Sequence, residues 1–198
     1  MTQLIPTPAL DPDAFLAWER LQLVRHLYFR GDVFAMAGGS PRHSRLASRI
    51  IARLDAALGG GACDVHTSDL RLGLDEGHFV YADAVVVCRP LVLRPRTTDV
   101  VTNPRVVIEV LSKSTESYDR GAKQAGYLAL ASVEHFALVS QRERRVEVYT
   151  REPDASFRFR VHGPGGVARL ERLAVTLDID ELYAGVFELP GDDEALGA

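Results

Sequence analysis

Two acidic residues stand inside apolar runs where an unpaired carboxylate would be costly: Asp83 within Phe79–Cys88 and Glu109 within Arg105–Leu111. Both runs are apolar on both faces, the pattern of strands covered on two sides. A carboxylate so placed has to be paired, protonated or bound to a metal. An arginine at a sheet edge would satisfy either one alone. Two such acids on two core strands favour a shared hard-cation site, and Mg²⁺ suits a few carboxylates completed by water and phosphate. Downstream of Glu109, the residues Asp119, Lys123 and Tyr127 recur at steps of four, one face of a helix. Lys123 could therefore reach back over the end of the Glu109 strand. A lysine there suits phosphodiester hydrolysis, by positioning the attacking water or stabilising charge on a phosphorane. The plainer alternative is a surface Asp119–Lys123 ion pair worth a few tenths of a kcal/mol.

A second group of chemistry-bearing residues lies upstream. Arg42, Arg45, Arg49 and Arg53 follow one another at steps of three, four and four in a helical pattern. Such a stripe can track a phosphate backbone, or it can be a solvated face with acidic partners such as Asp55. His43, in the first turn of the same helix, either reaches the site and helps bind phosphate or serves in capping and packing. Asp69 and Arg71 read as a structural pair, and Tyr127 as either a hydrogen-bond partner near the site or a half-buried core residue. Gly38-Gly39-Ser40 lacks the lysine and spacing of a phosphate-binding loop. No nucleophile elbow and no H-E-x-x-H zinc motif occurs.

The elements that would carry these residues are legible in outline. Asp11 caps a helix that opens on Pro12 and runs to about Val24. His26–Met36 reads as two strands about the turn Arg30-Gly31-Asp32. Ser40 and Pro41 open an amphipathic helix to Leu58, with Leu46, Ile50, Ile51, Leu54 and Leu58 on one face, ended by Gly59-Gly60-Gly61. Strands are expected at Cys63–His66, Leu70–Leu74, Phe79–Cys88 and Arg105–Leu111, with a hairpin turn at Asp75-Glu76-Gly77. Leu93–Asn103 reads as a mobile polar loop, Asp119–Ala131 as a helix, and Phe136–Val139 with Arg145–Tyr149 as a second hairpin. The expectation is one α/β (α+β) domain over residues 1–189, with 190–198 as a flexible acidic tail.

Composition sets the bounds. The 198 residues, 46% hydrophobic and 25% charged, suit a globular chain with a sizeable core. The sequence lacks an apolar run of about eighteen residues, and Met1–Leu10 lacks the regions of a signal peptide. The net charge of −4 argues against a generally basic coat but leaves room for a local basic stripe. Cys63 and Cys88 have no CxxC spacing, so neither a thiolate metal site nor a disulfide is expected, and a reducing cytoplasm fits.

In order and spacing, a set of landmarks across Asp13–Tyr149 resembles the Uma-type restriction endonuclease family, a branch of the PD-(D/E)XK superfamily. They are Arg25-His26, Gly31–Gly39, His43, Ser68-Asp69, Tyr81-Ala82-Asp83, Glu109–Ser112 with Thr115, Asp119-Arg120, Lys123, Tyr127 and Val146–Tyr149. The resemblance implies a restriction-endonuclease-like mixed β-sheet flanked by helices and an acid–acid–lysine site for Mg²⁺- or Mn²⁺-dependent DNA cleavage. Asp83 and Glu109 would be the metal-binding acids, and the strand after Glu109 could lend a backbone carbonyl. The superfamily lysine usually lies two residues past the second acid, where this chain has Leu111. Lys123 is the candidate replacement and Lys113 the alternative. Three positions depart from the family pattern: Ala82 replaces a proline, Leu27 a glutamate and Arg30 an aspartate, with Asp32 as a possible substitute ligand.

Two functions follow from these readings. The first is a metal-dependent DNA endonuclease with catalytic Asp83, Glu109 and Lys123, possible nucleic-acid contacts from Arg42, His43, Arg45 and Arg49, and a homodimeric assembly for cutting both strands. The alternative, favoured by Leu27 and Arg30, is a catalytically inactive nuclease-like fold that binds nucleic acid or serves in assembly.

Overall fold

The computed structural model describes residues 3–5, 10–36 and 38–192. In chain order, β1 (Gln3–Ile5) precedes α1 (Pro12–Glu19), β2 (His26–Phe29), β3 (Asp32–Ala35) and α2 (Pro41–Leu58). Then come β4 (Cys63–Thr67), β5 (Arg71–Asp75), β6 (His78–Tyr81), β7 (Ala84–Cys88), β8 (Val100–Val101) and β9 (Pro104–Leu111). Short helices α3 (Glu116–Tyr118) and α4 (Gln124–Ala129) flank a π-helical turn, Asp119–Lys123. The chain closes with β10 (His135–Ser140), β11 (Val146–Arg151), β12 (Phe157–His162), β13 (Val167–Leu170), β14 (Val175–Asp178) and α5 (Ile179–Tyr183).

Two six-stranded mixed sheets dominate. The first runs β1-β3-β2-β6-β5-β8 and the second β12-β11-β10-β9-β7-β4, with parallel pairing at β5/β8 and β9/β10. A separate β13/β14 hairpin completes the strands. This is the mixed-sheet, helix-flanked α+β architecture expected. Alternation along β7 and β9 divides the core. Ala84, Val86, Val106, Ile108 and Val110 pack under Leu46, Ile50 and Leu54 of α2. Val85, Val87 and Val107 face the other way, towards Leu72, Val80, Tyr127 and Phe136. Helix α1 covers the far side of the first sheet, with Phe15 stacked on Tyr28. Among the described residues, no helix is long and apolar enough to cross a membrane.

Local chemistry explains most boundaries. Asp11 caps α1 by accepting from the Ala14 N–H at 2.8 Å, and Ser40 caps α2 by accepting from that of His43 at 3.1 Å. Arg30 and Gly31 both take positive φ (50° and 102°), which matches the right-handed twist of a two-residue hairpin.

Several expectations need correction. Phe79–Cys88 is not one strand: β6 belongs to the first sheet and β7 to the second, and Asp83 sits at the bend between them. The loop 93–103 is tied down, since β8 pairs with β5 and Asp99 binds both Arg20 and Arg71. Helix α1 stops at Glu19, because the apolar residues beyond it, Leu21 and Leu23, face solvent. The Asp69–Arg71 pair does not form: Asp69 binds Arg25 at 2.8 Å, while Arg71 turns to Asp99 and Tyr81. Cys63 and Cys88 form a disulfide, because antiparallel β4 and β7 set them directly opposite each other. Of the expected tail, residues 193–198 lie outside the described residues, whereas Pro190 and Asp192 are held against the body of the protein.

Candidate active site

The register of β7 against β9 builds the site. Ala84 lies opposite Ile108, so one step further sets Asp83 beside Glu109. Asp83 and Glu109 both line one cavity of about 140 Å³, which lies by the first turn of α2. The bend frees Asp83 from strand pairing, and its Oδ2 instead accepts the Val110 N–H at 2.7 Å.

Neither acid has an arginine partner among the described residues. Asp83 Oδ2 faces His43 Nε2 at 3.3 Å, because the Ser40 cap starts α2 with His43 turned into the cavity. Burial would raise the Asp83 carboxyl, but His43, the Val110 N–H and Lys123 outweigh it and hold it below the usual range. For His43, burial works to lower the ring, and Asp83 and Glu109 more than reverse it.

Glu109 is 3% exposed, and its Oε1 accepts from Lys123 Nζ and from the Tyr127 hydroxyl, each at 2.8 Å. Burial pushes the Glu109 carboxyl up to about 8; Lys123 pulls it down, while Asp119 and Asp83 push it further up. Lys123 also donates to Asp119 Oδ1 at 3.2 Å. Burial disfavours its charge, yet Glu109 and Asp119 together hold the ammonium well above its ordinary value. Thr115 Oγ1 donates to Asp119 Oδ2 at 2.6 Å and meets Ser112 Oγ at 2.8 Å, which fixes the second partner of the lysine. The helix is kinked at Gly121, whose φ and ψ (−104° and −105°) are not helical, and Asp119 and Lys123 on either side of the kink both line the cavity.

The other candidates are placed differently. Lys113 is exposed and does not line the cavity. Asp32 is exposed at the β2/β3 turn, away from the cavity, whereas Leu27 forms part of its wall. Arg42 is buried and donates from Nε and Nη2 to the Leu189 carbonyl, at 3.1 and 2.9 Å. Arg49 donates to the carbonyls of Leu182 and Ala184, and Arg53 pairs with Glu181. Three of the four stripe arginines thus tie α2 to the C-terminal segment, Arg53 through an exposed ion pair, and the exposed Arg45 is the one for which no such tie is seen among the described residues. Beside the cavity, sharing His43, Ser68 and Asp83 with it, opens a groove of about 520 Å³ along α2. Asp192 also lines the cavity, and the sequence carried no signal for it, since it lies in a polar, glycine-containing terminus.

Among the described residues, no three His, Cys, Asp or Glu side chains are grouped to ligate one ion. Of the four acids that line the cavity, Asp83 Oδ1, Glu109 Oε2 and Asp192 Oδ1 accept no hydrogen bond from a described residue, and the first two belong to neighbouring strands. That donor set fits an ion that keeps most of its waters and shares substrate phosphate.

The chain compares with known proteins over nearly its whole length. The family model described as Uma2, "Putative restriction endonuclease", matches residues 12–180. Two uncharacterized proteins of Synechocystis sp. are similar: one is 32% identical over 183 residues, covering 91% of this chain and 95% of its own, and the other 28% over 159 residues, covering 78% and 88%. The crystal structure of a "putative nuclease belonging to DUF820" from Anabaena variabilis superposes with a TM-score of 0.73 at 17% identity, over 89% of this chain and 99% of that one. That likeness speaks for the fold; the sequence match from Pro12 to Asp180 speaks for descent, and by it the chain belongs to the Uma2 family.

Proposed function

We propose that this protein is a metal-dependent endonuclease that hydrolyses DNA phosphodiester bonds, with Asp83 and Glu109 holding Mg²⁺ or Mn²⁺ and Lys123 orienting the attacking water. The observation that carries this reading is the convergence of Asp83, Glu109 and Lys123 on one cavity, with Lys123 Nζ 2.8 Å from Glu109 Oε1. A divalent ion bound there would supply Lewis acidity and a more acidic water. Lys123 stays charged at working pH and offers a fixed positive charge to a developing phosphorane. Val110 N–H and His43 hold the Asp83 carboxylate in one orientation, and Tyr127 does the same for Glu109. The groove along α2 provides a path for the flanking strand, and a second copy of the chain would serve the opposite strand.

Plasmid nicking in Mn²⁺ tests the reading. Wild type nicks, and Asp83→Ala, Glu109→Ala and Lys123→Ala lose the activity; nicking retained in both acid variants ends the proposal. Burial raises the Glu109 carboxyl and a metal takes its deprotonated form, so as pH is lowered Mn²⁺ binding releases more protons from wild type than from Glu109→Gln. One observation favours a second reading. Leu27 forms the cavity wall where the family pattern has a glutamate, and a site so depleted would bind nucleic acid without cutting it. Calorimetric Mn²⁺ binding that depends on Asp83 separates the two, since the inactive module gives none.

A further inference from the structure

The C-terminal segment brings a carboxylate, that of Asp192, into the cavity. Its root is fixed on α2: the Arg42 N–H donates to the Pro190 carbonyl at 3.2 Å, the Arg42 guanidinium holds the Leu189 carbonyl, and that group also lies 5.3 Å from the Phe187 ring centroid. Two residues beyond Pro190, Asp192 Oδ2 accepts the backbone N–H of Lys113. The cavity already holds Asp83, Glu109 and Asp119 against Lys123, so another carboxylate comes in against like charge.

The fit of that carboxylate is incomplete. Asp192 Oδ1 is buried with no hydrogen-bond partner among the described residues. The hydroxyls of Ser112, Ser114 and Thr115 line the same cavity, and the exposed Lys113 belongs to the same turn. A planar carboxylate reaches one donor here. The Thr115 hydroxyl is committed to Asp119 and that of Ser112 to Thr115, so a tetrahedral phosphate, with more acceptor oxygens, would draw on the Lys113 N–H and ammonium and on the Ser114 hydroxyl, of which Asp192 uses the first.

We propose that the Ser112–Thr115 turn is a phosphate-binding subsite of the nuclease cavity, and that Asp192 occupies it as a built-in competitor until nucleic acid displaces it. The proposal rests on the nuclease reading above. It gives Lys113 a role in holding substrate through its backbone N–H and its ammonium group, separate from the chemistry assigned to Lys123. The C-terminal segment then sets a threshold for substrate entry, because each binding event must first evict one negatively charged side chain.

Full-length wild type, Asp192→Asn and Asp55→Asn test this. Asp55 is exposed near the other end of α2, about 18 Å along the helix from His43, and its variant makes the same charge change elsewhere. Inorganic phosphate is titrated while the Lys113 amide resonance is followed. Asp192→Asn responds at about tenfold lower phosphate than the other two, the factor one charge-assisted hydrogen bond contributes. Equal midpoints in all three, or no response in Asp192→Asn, overturn the proposal. A labelled DNA duplex in EDTA gives the second arm: Asp192→Asn binds about tenfold more tightly than the other two at fixed salt. DNA binding that is indifferent to Asp192 overturns the competitor and leaves the nuclease reading standing. Phosphate capture without DNA binding by any of the three overturns the nucleic-acid reading itself, and the proposal with it.

Discussion

Lys123 Nζ stands 2.8 Å from Glu109 Oε1 and 3.2 Å from Asp119 Oδ1, with all three side chains buried. The ammonium therefore lies between two carboxyl groups that have no arginine partner among the described residues, and the lysine proposed for chemistry also holds the core together. Lys123→Met leaves both acids without a cation and costs about 3–5 kcal/mol of stability. Denaturant unfolding checks this. Adding Glu109→Gln recovers part of the loss; equal stability of wild type and Lys123→Met would show that the pair does not form.

His78 gives the molecule a defined acid limb. It is 2% exposed in β6, and burial lowers its ring to about 4; Lys123 and Arg30 work in the same direction and Asp75 opposes. Its folded value lies below the unfolded one, near 6.5, so between these values the unfolded chain binds the extra proton. Stability contributed by neutral His78 is complete above about pH 6.5 and is lost as pH falls towards 4, by about 3 kcal/mol in all. His78→Gln removes that slope. An unchanged pH–stability curve in the variant would refute the assignment.

The Cys63–Cys88 bridge closes a loop of 25 residues in sequence separation. Closing such a loop stabilises by about 3 kcal/mol through the unfolded chain. Cys63→Ser with Cys88→Ser lowers the melting temperature by roughly 6–12 °C for a chain of this size. Thiol titration of the unreduced, denatured protein finds none free; finding two would break the prediction. Such a bond is uncommon in a reducing compartment, so the argument for a cytoplasm drawn from unpaired thiols no longer applies.

Gly126 is where α4 presses on the first sheet. A Cβ there would lie 2.6 Å from Leu74 Cδ1 and 3.3 Å from Leu74 Cβ. Gly126→Ala gains about 1 kcal/mol of helix propensity and loses about 1–3 by overpacking. The Leu74 side chain has to turn aside and α4 to give by a few tenths of an ångström at Leu74 Cβ, and Lys123 at the head of α4 shifts with it. A nicking rate that falls further than the melting temperature can account for is the expected outcome; unaltered turnover would dissociate helix position from chemistry.

The acids and the lysine were legible because burial makes charge conspicuous: Asp83 and Glu109 interrupt apolar runs, and steps of four placed Asp119, Lys123 and Tyr127 on one side. What could not be read were properties of pairing. A continuous apolar run from Phe79 to Cys88 looks the same whether it serves one sheet or two, and only the bend at Asp83 distinguishes them. The cysteines meet through a strand register that spacing does not encode. Arg42 and Arg49 formed a convincing basic stripe, but their partners are backbone carbonyls from the far end of the chain, which carry no residue signature. The same holds for Asp192, whose partner is the backbone N–H of Lys113.

The crossing of the chain from β6 to β7 has a mechanical meaning. Glu109 is indexed to the second sheet, Lys123 rides on a helix pressed against the first, and Asp83 is the joint between the two sheets. Alignment of these three side chains is thus set by how rigidly the two β-layers are held together. A slip of about 1 Å between the layers is enough to cost on the order of a hundredfold in rate. Substitutions in the interlayer core, far from any reacting atom, are therefore where activity and stability would fail together.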